Sequence, residues 1–318
     1  MKRSTLLSLL FALLLLLFSL YVLLDAFVIP RVYEEVAETA PVAEDPADAE
    51  TEAETEAVTE AETEAETAAV PHDPVITENS YDDGVLTIRL TDYRQYDTTI
   101  HVADVTLSDL SRLRTALAKN TYGKNITQKT SAMAAQNHAI LAINGDYYGA
   151  RNKGYVIRGG VMYRRTPTSA DTEDLVIWED GSFSVVRESD YTAKELFDLG
   201  AKEVLSFGPG LISDGRNTAD INSEVKRERT DNPRTAIAMI EPGHYLFVVA
   251  DGRTAENKGL SLYELAEFLL SLGAQEAYNL DGGGSSTMVF NGKVVNVPTA
   301  NGKKITERSV SDIVYIGS

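Results

Sequence analysis

The longest apolar run of the chain lies near its beginning. The 19 residues Leu6–Leu24 are almost all hydrophobic and follow two basic residues. With the apolar residues after them, they are long enough to cross a hydrocarbon layer of roughly 30 Å. A cleaved signal peptide is the alternative, but it would have a shorter apolar region and a nearby small-x-small cleavage site. We therefore predict a cytoplasmic end at 1–4, a single-pass transmembrane signal-anchor at 5–29 and an extracellular remainder, because the basic residues stay inside.

Beyond residue 76 the pattern changes to short runs of β-prone residues. Alternating polar and apolar positions predict strands at Val85–Leu90 and Thr98–Val105, and a short apolar run predicts a buried strand at Ala139–Ile143. Turn sequences join two further strand pairs, which predict hairpins: Leu175–Trp178 with Phe183–Val186, and Arg234–Ile240 with Tyr245–Ala250.

Helical spacing is rarer than strand alternation. It predicts helices at Leu107–Ala118, Ser131–His138 and Leu262–Leu272, and Gly273 ends the last of these. Strands outnumber helices and are mostly joined by hairpins. We therefore predict an α+β fold, with mixed, largely hairpin-linked β-sheets and a few packing helices, in a single globular domain at 76–318.

The segment 30–75, between the anchor and this domain, has an unusual composition. Residues 31–70 contain 14 acidic residues against one arginine, and the phrase Thr-Glu-Ala-Glu recurs. With so few apolar residues, the segment cannot bury enough apolar surface to compensate for the conformational entropy lost on ordering. Repulsion between its like charges also favours an extended chain. We predict a disordered, low-complexity stalk that holds the domain off the membrane, with a transient helix as the alternative.

Composition excludes several classes of function. The formal charge of −19 falls mainly in the stalk, and no basic face suggests nucleic-acid binding. The absence of cysteine excludes disulfides, thiolate metal sites and cysteine nucleophiles. The four histidines lack the spacing of a zinc site. The sequence therefore requires no cofactor, although it leaves a divalent metal and the oligomeric state open.

Two polar clusters follow predicted strands in the first half of the domain. The first is Asn144-Gly145-Asp146-Tyr147, whose amide and carboxylate suit sugar hydroxyls and whose ring suits a sugar face. An Asn-Gly turn is the alternative. The second contains Arg158, which is a candidate phosphate ligand or a surface charge.

The hairpin at 234–250 predicts that two arginines lie close together. Arg234 begins one strand, and Arg253 follows the other together with Asp251. Paired guanidinium groups suit phosphate through bidentate hydrogen bonds. A surface pair between arginine and aspartate is the alternative.

A glycine-rich loop is the most specific candidate. Asp281 is followed by Gly282, Gly283, Gly284, Ser285 and Ser286, between two predicted strands. Backbone N–H groups in such loops bind anions, and serine hydroxyls add donors. Asp281 is a candidate acid, base or metal ligand. A flexible loop without a ligand is the alternative.

The stretch Gly259–Met288, which contains this loop, resembles the signature of the phosphodiester glycosidase family. That family includes bacterial members labelled as exopolysaccharide-related. The similarity extends over 137–317, because other clusters occur in the family's order: Asn144–Tyr148, Phe207–Gly210, Pro233–Ala236, Asp251–Arg253 and Glu307-Arg308. Where the family often has Gly-Gly-aromatic, this chain has Gly145-Asp146-Tyr147, a departure expected to alter the fit of the substrate.

The resemblance implies hydrolysis of the bond between an anomeric carbon and a phosphodiester, in cell-surface or exopolysaccharide polymers. A phosphate leaves readily, so stabilising its charge is the main task. The hypothesis assigns phosphate binding to Arg234, Arg253 and the loop 282–286. The roles of base or nucleophile go first to Asp281, then to Asp146 and Asp251, and Asn144 and Tyr147 hold the sugar. Gly145, Arg158, Glu307 and Arg308 complete the expected substrate contacts.

Two other functions remain as alternatives. A non-catalytic binding module for phosphate-containing surface glycans would use the same arginines and loop without the acids. A structural surface domain would need no ligand, but polar clusters at so many strand ends argue against it.

Overall fold

The chain is described from a computed structural model that covers residues 3–35, 71–219, 231–300, 302 and 304–317. Residues 36–70, which make up most of the predicted stalk, lie outside the described residues. Four helices occur in the described part: α1 (Arg3–Phe27), α2 (Thr130–Gln136), α3 (Ala193–Asp198) and α4 (Leu262–Ser271). Within that part, α1 alone is long and apolar enough to cross a membrane, and the window Leu10–Phe27 is unburied.

Strands dominate the rest of the described chain. The first half contains β1 (Arg31–Glu35), β2 (Val75–Ile76), β3 (Ser80–Asp82), β4 (Leu86–Gln95), β5 (Thr98–Leu107), β6 (Leu113–Leu117), β7 (Thr121–Lys124), β8 (Ala139–Asn144), β9 (Val156–Arg158) and β10 (Val161–Arg164). The second half contains β11 (Glu173–Trp178), β12 (Phe183–Arg187), β13 (Ala201–Leu205), β14 (Gly210–Ser213), β15 (Arg216–Asn217), β16 (Arg234–Glu241), β17 (His244–Ala250), β18 (Glu276–Asn279), β19 (Met288–Phe290), β20 (Lys293–Val294) and β21 (Asp312–Gly317).

These strands form three larger antiparallel sheets and one separate pair. The largest has nine strands in the order β15-β14-β18-β16-β17-β5-β4-β3-β2. Two five-stranded sheets have the orders β20-β19-β8-β21-β6 and β10-β9-β13-β11-β12, and β1 pairs with β7. The predicted α+β class and the predicted hairpins are confirmed.

The two faces of the nine-stranded sheet pack against different partners. On β17, Phe247 and Val249 enter a core shared with both five-stranded sheets, whereas Leu246 and Val248 pack against α4. This alternation follows from the two-residue period of a strand. Helix α4 begins with a capping box, in which the Ser261 hydroxyl accepts from the Glu264 N–H and the Glu264 carboxylate accepts from the Ser261 N–H.

The helix predicted at Leu107–Ala118 is wrong. Leu107 ends β5, a short 3₁₀ turn follows at Leu110–Arg112, and Leu113–Leu117 forms β6. Strand β6 pairs with β21 over its whole length and buries Leu113 and Leu117. Pairing with a distant strand therefore overrides a local helical pattern, as tertiary context commonly does.

Candidate active site

Three strand ends meet at one edge of the nine-stranded sheet. Arg234 at the beginning of β16 pairs with Ala250 at the end of β17, and Ala236 pairs with Asn279 at the end of β18. The loops that leave β17 and β18 therefore emerge beside Arg234. This register brings Arg253 and the loop at Asp281 to the same place, as the predicted hairpin requires.

A cavity of about 240 Å³ opens at this edge. Its described lining contains three arginines and a single carboxylate: Phe207, Gly208, Asn232, Arg234, Arg253, Leu262, Asn279, Asp281, Gly282, Gly283 and Arg308. A larger cavity of about 390 Å³ lies elsewhere, beside Asp92 and Lys293, and no arginine is among the described residues that line it. We take the smaller cavity as the candidate site because its charged groups converge.

Asp281 is held by side chains from two segments. Its Oδ2 accepts hydrogen bonds from the Ser285 hydroxyl and from Arg308 Nη2, the latter at 2.9 Å. The residue is only 8% exposed. Burial raises the pKa of the Asp281 carboxyl, and the positive charge of Arg308 and the hydrogen bond from Ser285 partly offset that rise.

Asn144 and Gly145 fix the backbone of Asp281 from behind. The Asp281 carbonyl accepts from Asn144 Nδ2 at 2.6 Å, and the Asp281 N–H donates to the Gly145 carbonyl at 3.2 Å. Asn144 Oδ1 accepts from the Thr235 hydroxyl and the Thr287 N–H, and the Asn144 side chain is fully buried. Its amide therefore joins three elements of the fold instead of facing the cavity.

Glycine at 282 and 283 lets the loop pass close to its neighbours. Gly283 has φ +62°, and a Cβ there would lie 2.9 Å from Arg253 Nη2. A Cβ at Gly282 would lie 2.9 Å from the Pro233 carbonyl. Larger residues would displace either the loop or the arginine.

The arginines supply an excess of positive charge. Arg253 donates to Asn232 Oδ1 at 2.9 and 3.1 Å and to the Ala300 carbonyl at 3.4 Å, so its described acceptors are neutral. Burial and the nearby charge of Arg308 lower the pKa of Arg253. Arg234 is 7% exposed and donates from Nε to the Leu260 carbonyl at 2.8 Å. Such a cluster suits a phosphate group.

Asp146 and Arg158 lie together in the interior. Arg158 Nη2 donates to Asp146 Oδ2 at 2.9 Å and to Asp312 Oδ2 at 2.8 Å. Asp146 also accepts from the N–H groups of Tyr148 and Ser206. Burial raises the pKa of Asp312, and the neighbouring charge of Asp146 raises it further. This ionic group joins the segment after β8 to β9 and β21, and none of its three members lies in the described lining of the cavity.

Asp251 likewise points into the fold. Its Oδ1 accepts from Asn296 Nδ2 at 3.2 Å and from the Val297 N–H at 3.0 Å, and its Oδ2 lies 3.3 Å from His101 Nε2. Its carboxylate therefore fastens the loop at 296–297 to the end of β17.

The other predicted residues differ in their surroundings. Glu307 accepts hydrogen bonds from the N–H and hydroxyl of Ser131 at the start of α2, whereas Tyr147 is on the surface and 44% exposed. The predicted residues outside the described lining are Asn144, Gly145, Asp146, Tyr147, Arg158, Asp251, Gly284, Ser285, Ser286 and Glu307. Those within it are Arg234, Arg253, Asp281, Gly282, Gly283 and Arg308.

Five lining residues lacked a predicted role, namely Phe207, Gly208, Asn232, Leu262 and Asn279. Asn279 Nδ2 donates to the Gly208 carbonyl at 2.7 Å, and its buried Oδ1 accepts no hydrogen bond from a described residue. Phe207 lines the same cavity, with the Arg151 guanidinium 5.1 Å from its ring centroid. The sequence contained a clue to the importance of Asn279 and Phe207. Asn279 stands at the start of the glycine-rich stretch, and Phe207 begins one of the clusters that occur in the family's order. Within the described residues, no group of three or more His, Cys, Asp or Glu is arranged to hold a metal.

Two proteins are similar in sequence to parts of this chain. A protein from Bacillus subtilis strain 168, "SPbeta prophage-derived uncharacterized protein YomE", is 30% identical over 202 residues, which are 61% of this chain and 30% of that protein. Human N-acetylglucosamine-1-phosphodiester alpha-N-acetylglucosaminidase is 42% identical over 82 residues, which are 26% of this chain and 16% of that enzyme. The chain thus spans less than a third of either relative.

A solved structure and a family model complete the comparison. The catalytic domain of the zebrafish N-acetylglucosamine-1-phosphodiester alpha-N-acetylglucosaminidase, auto-inhibited by its pro-peptide, superimposes with a TM-score of 0.60 at 20% identity, over 78% of this chain and 89% of that one. At this identity the likeness concerns the fold. The model of the family described as phosphodiester glycosidase matches residues 137–317, which are more than half of the chain. The chain therefore belongs to the phosphodiester glycosidase family.

Proposed function

We propose that the chain hydrolyses sugar-1-phosphodiesters by breaking the bond between the anomeric carbon and the phosphate oxygen. The observation that carries the proposal is the position of Asp281, a buried carboxylate in a cavity that also contains Arg234, Arg253 and Arg308. Family membership and the names of the human and zebrafish relatives support the same reaction.

The arginines act on the leaving group. When the bond breaks, its electron pair stays on the phosphate oxygen and a phosphomonoester leaves with increased negative charge. Guanidinium groups fixed beside that oxygen stabilise the developing charge without further reorganisation. Arg253 is best placed for this role because its described acceptors are neutral.

Asp281 acts on the sugar side. As a base it takes a proton from the water that attacks the anomeric carbon, and as a nucleophile it forms a glycosyl ester that water then hydrolyses. Glycosidases ordinarily use two carboxylates, one of them as acid for the leaving oxygen. A phosphate needs less protonation than a sugar alcohol, which fits a lining with a single described carboxylate.

The proposed location is outside the cell membrane. Helix α1 has the length of a membrane span and follows basic residues, which favours an uncleaved signal-anchor with the domain at 76–318 outside. Substrates there would be cell-surface or exopolysaccharide polymers containing glycosyl phosphate.

A second candidate is a binding module for phosphate-containing surface glycans. The ion pair between Asp281 and Arg308 favours it, because a carboxylate held by a cation can also serve to shape an anion site. Such a module would bind the same ligands and release no product.

The test is incubation of the full-length chain, in detergent, with a panel of sugar-1-phosphodiesters in water enriched in oxygen-18. Our proposal expects free sugar and a phosphomonoester, with the label in the sugar because the carbon–oxygen bond breaks. Label in the phosphate would contradict the proposed bond cleavage. Saturable binding of the panel without any product would support the binding module.

A further inference from the structure

The segment directly after the membrane helix forms part of the globular domain. Strand β1 pairs antiparallel with β7, with Arg31 opposite Lys124 and Glu35 opposite Thr121. Among the described strands, β1 is the only one that β7 pairs with. The five residues of β1, which follow closely after the membrane helix, are thus held to the domain by main-chain hydrogen bonds.

The end of the helix is also attached. Asn125, next to β7, donates from Nδ2 to the carbonyl of Ile29 at 3.2 Å and to that of Ala26 at 3.4 Å. Arg31 forms an ion pair with Asp25 in the last turns of α1. The chain between helix and strand is therefore fixed at both ends, and little distance separates the helix end from the domain.

Side chains on β7 fit this arrangement. The rings of Tyr33 and Tyr122 lie 5.7 Å apart, and Tyr122 also packs against Tyr148 and Tyr163 of the domain. A Cβ at Gly123 would lie 2.1 Å from the Arg31 carbonyl. Glycine at 123 is thus required for the close approach of β1.

The far end of the acidic segment is attached to the same body. His72 donates its N–H to the carbonyl of Asp83, directly after β3, at 2.9 Å. Both flanks of residues 36–70, at Glu35 and near His72, therefore lie on the domain. A segment attached in this way does not set the distance between domain and anchor.

We propose that β1 docks on β7 in the membrane-bound protein and fixes the domain at the lipid surface. On this proposal residues 36–70, which lie outside the described residues, do not set the distance between the anchor and the domain, in contrast to the predicted stalk. Arg31 and Lys124, which are opposite each other, lie at the membrane-proximal end of the strand pair.

Cross-linking tests the pairing directly, since the chain has no cysteine of its own. The test pair is Arg31→Cys with Lys124→Cys, because opposed residues in antiparallel strands lie about 4.5–5.5 Å apart between Cα atoms, within disulfide range. The control pair is Glu35→Cys with Lys124→Cys, offset along the strand by roughly 10 Å. A protease site inserted within residues 36–70 allows linked fragments to be counted on a non-reducing gel.

We expect the test pair to oxidise roughly tenfold or more faster than the control pair in lipid vesicles, since only its geometry suits a disulfide. Adding Gly123→Val to the test pair should abolish this difference. Equal rates for the two pairs would overturn the docking of β1.

A second measurement remains informative if a cysteine pair disturbs folding. The full-length chain carries a dye at Lys194→Cys, an exposed position on α3, in vesicles that contain an acceptor lipid. Deletion of residues 51–66 should leave energy transfer unchanged if β1 holds the domain. A change in transfer on deletion would show that the segment sets the distance, and would overturn the proposal.

Discussion

Arg308 Nη2 lies 2.9 Å from Asp281 Oδ2, and the two side chains differ in their contact with solvent: that of Asp281 is 12% exposed and that of Arg308 is 44% exposed. The pair therefore joins a buried carboxylate to a cation that solvent reaches. Burial favours the neutral carboxyl and the cation favours the charged one. The balance between them sets the pH at which Asp281 can act.

The first prediction concerns this balance. Burial raises the pKa of Asp281, and a base or nucleophile must be ionised, so kcat/KM should fall on the acid side at a pH above the ordinary range of aspartate. Arg308→Gln removes the offsetting charge and should move that acid limb to still higher pH, whereas Arg308→Lys should move it less. Profiles of kcat/KM against pH measure both shifts. An acid limb that stays in place in Arg308→Gln would show that another group controls it.

The second prediction separates Asp281 from a nearby carboxylate of similar burial. Asp281→Asn preserves shape but removes the base or nucleophile, and we expect kcat to fall by about 10³-fold or more. Asp251→Asn is the matched control, because that carboxylate fastens the loop at 296–297. It should lower the melting temperature while kcat changes much less. Undiminished turnover by folded Asp281→Asn would eliminate the assigned role.

The third prediction concerns recognition of the phosphate. Arg253→Ala should lower kcat/KM for a sugar-1-phosphodiester by about 100-fold, the scale of losing one charged group that stabilises a transition state. Arg253→Lys should recover only part of the lost kcat/KM, because an ammonium group cannot form the two parallel hydrogen bonds of a planar guanidinium. An aryl glycoside that lacks phosphate provides the contrast. Equal losses on both substrates would indicate that Arg253 supports the fold of the site rather than the leaving group.

The fourth prediction concerns stability. Asp174 is fully buried, and burial raises the pKa of its carboxyl to about 8 against a smaller opposing effect of the Ser206 hydroxyl. Below the ordinary pKa of aspartate, both folded and unfolded chains keep the proton. As pH rises toward 8, only the unfolded chain releases it, so stability falls by about 1.4 kcal/mol per pH unit from this group.

Asp174→Asn should remove that dependence. The variant should be more stable than the parent protein at pH 8, by on the order of a few kcal/mol, with a smaller difference near pH 4. Urea unfolding at both pH values measures the change. Comparing the two proteins cancels the contributions of other buried carboxyls, such as Asp312 and Glu203, whose pKa values are also raised by burial. A difference that does not depend on pH would contradict the assigned titration.

Local sequence predicted the parts of the site that depend on neighbouring strands. The hairpin of β16 and β17 places Arg234 and Arg253 together, since its register follows from its turn and its alternation. The glycine-rich loop was visible as a break between two apolar runs. Arg308 could be assigned only from the order of motifs in the family, because it reaches Asp281 from 27 positions away along the chain.

The positions of Asp146 and Arg158 could not be predicted in this way. Their burial follows from the pairing of β8 with β21, which brings Asp312 to them from the end of the chain. The same distant strand converts Leu113–Leu117 from a predicted helix into β6. Local composition identifies polar residues beside strands, but long-range pairing decides whether they face a cavity or the interior.

The last prediction concerns Asn279, a residue that lines the cavity together with Phe207 and whose buried Oδ1 has no hydrogen-bond partner among the described residues. A buried acceptor left unpaired costs about 1–3 kcal/mol, which a donor on the substrate would recover. If the proposed function holds, a sugar hydroxyl or amide N–H donates to this oxygen. A panel of substrates that each lack one hydroxyl or amide should contain one member that the enzyme turns over roughly 10- to 100-fold less well.

Substitution of Asn279 then distinguishes recognition of the sugar from support of the fold. In Asn279→Ala the penalty for that one substrate should disappear, while the penalties for the others remain. Asn279→Asp keeps an acceptor oxygen and should keep the discrimination, even though it loses the donor to the Gly208 carbonyl. Values of kcat/KM across the panel for the three proteins give the comparison. If Asn279→Ala lowers turnover of every substrate by the same factor, Asn279 only holds Gly208 in place and does not read the sugar.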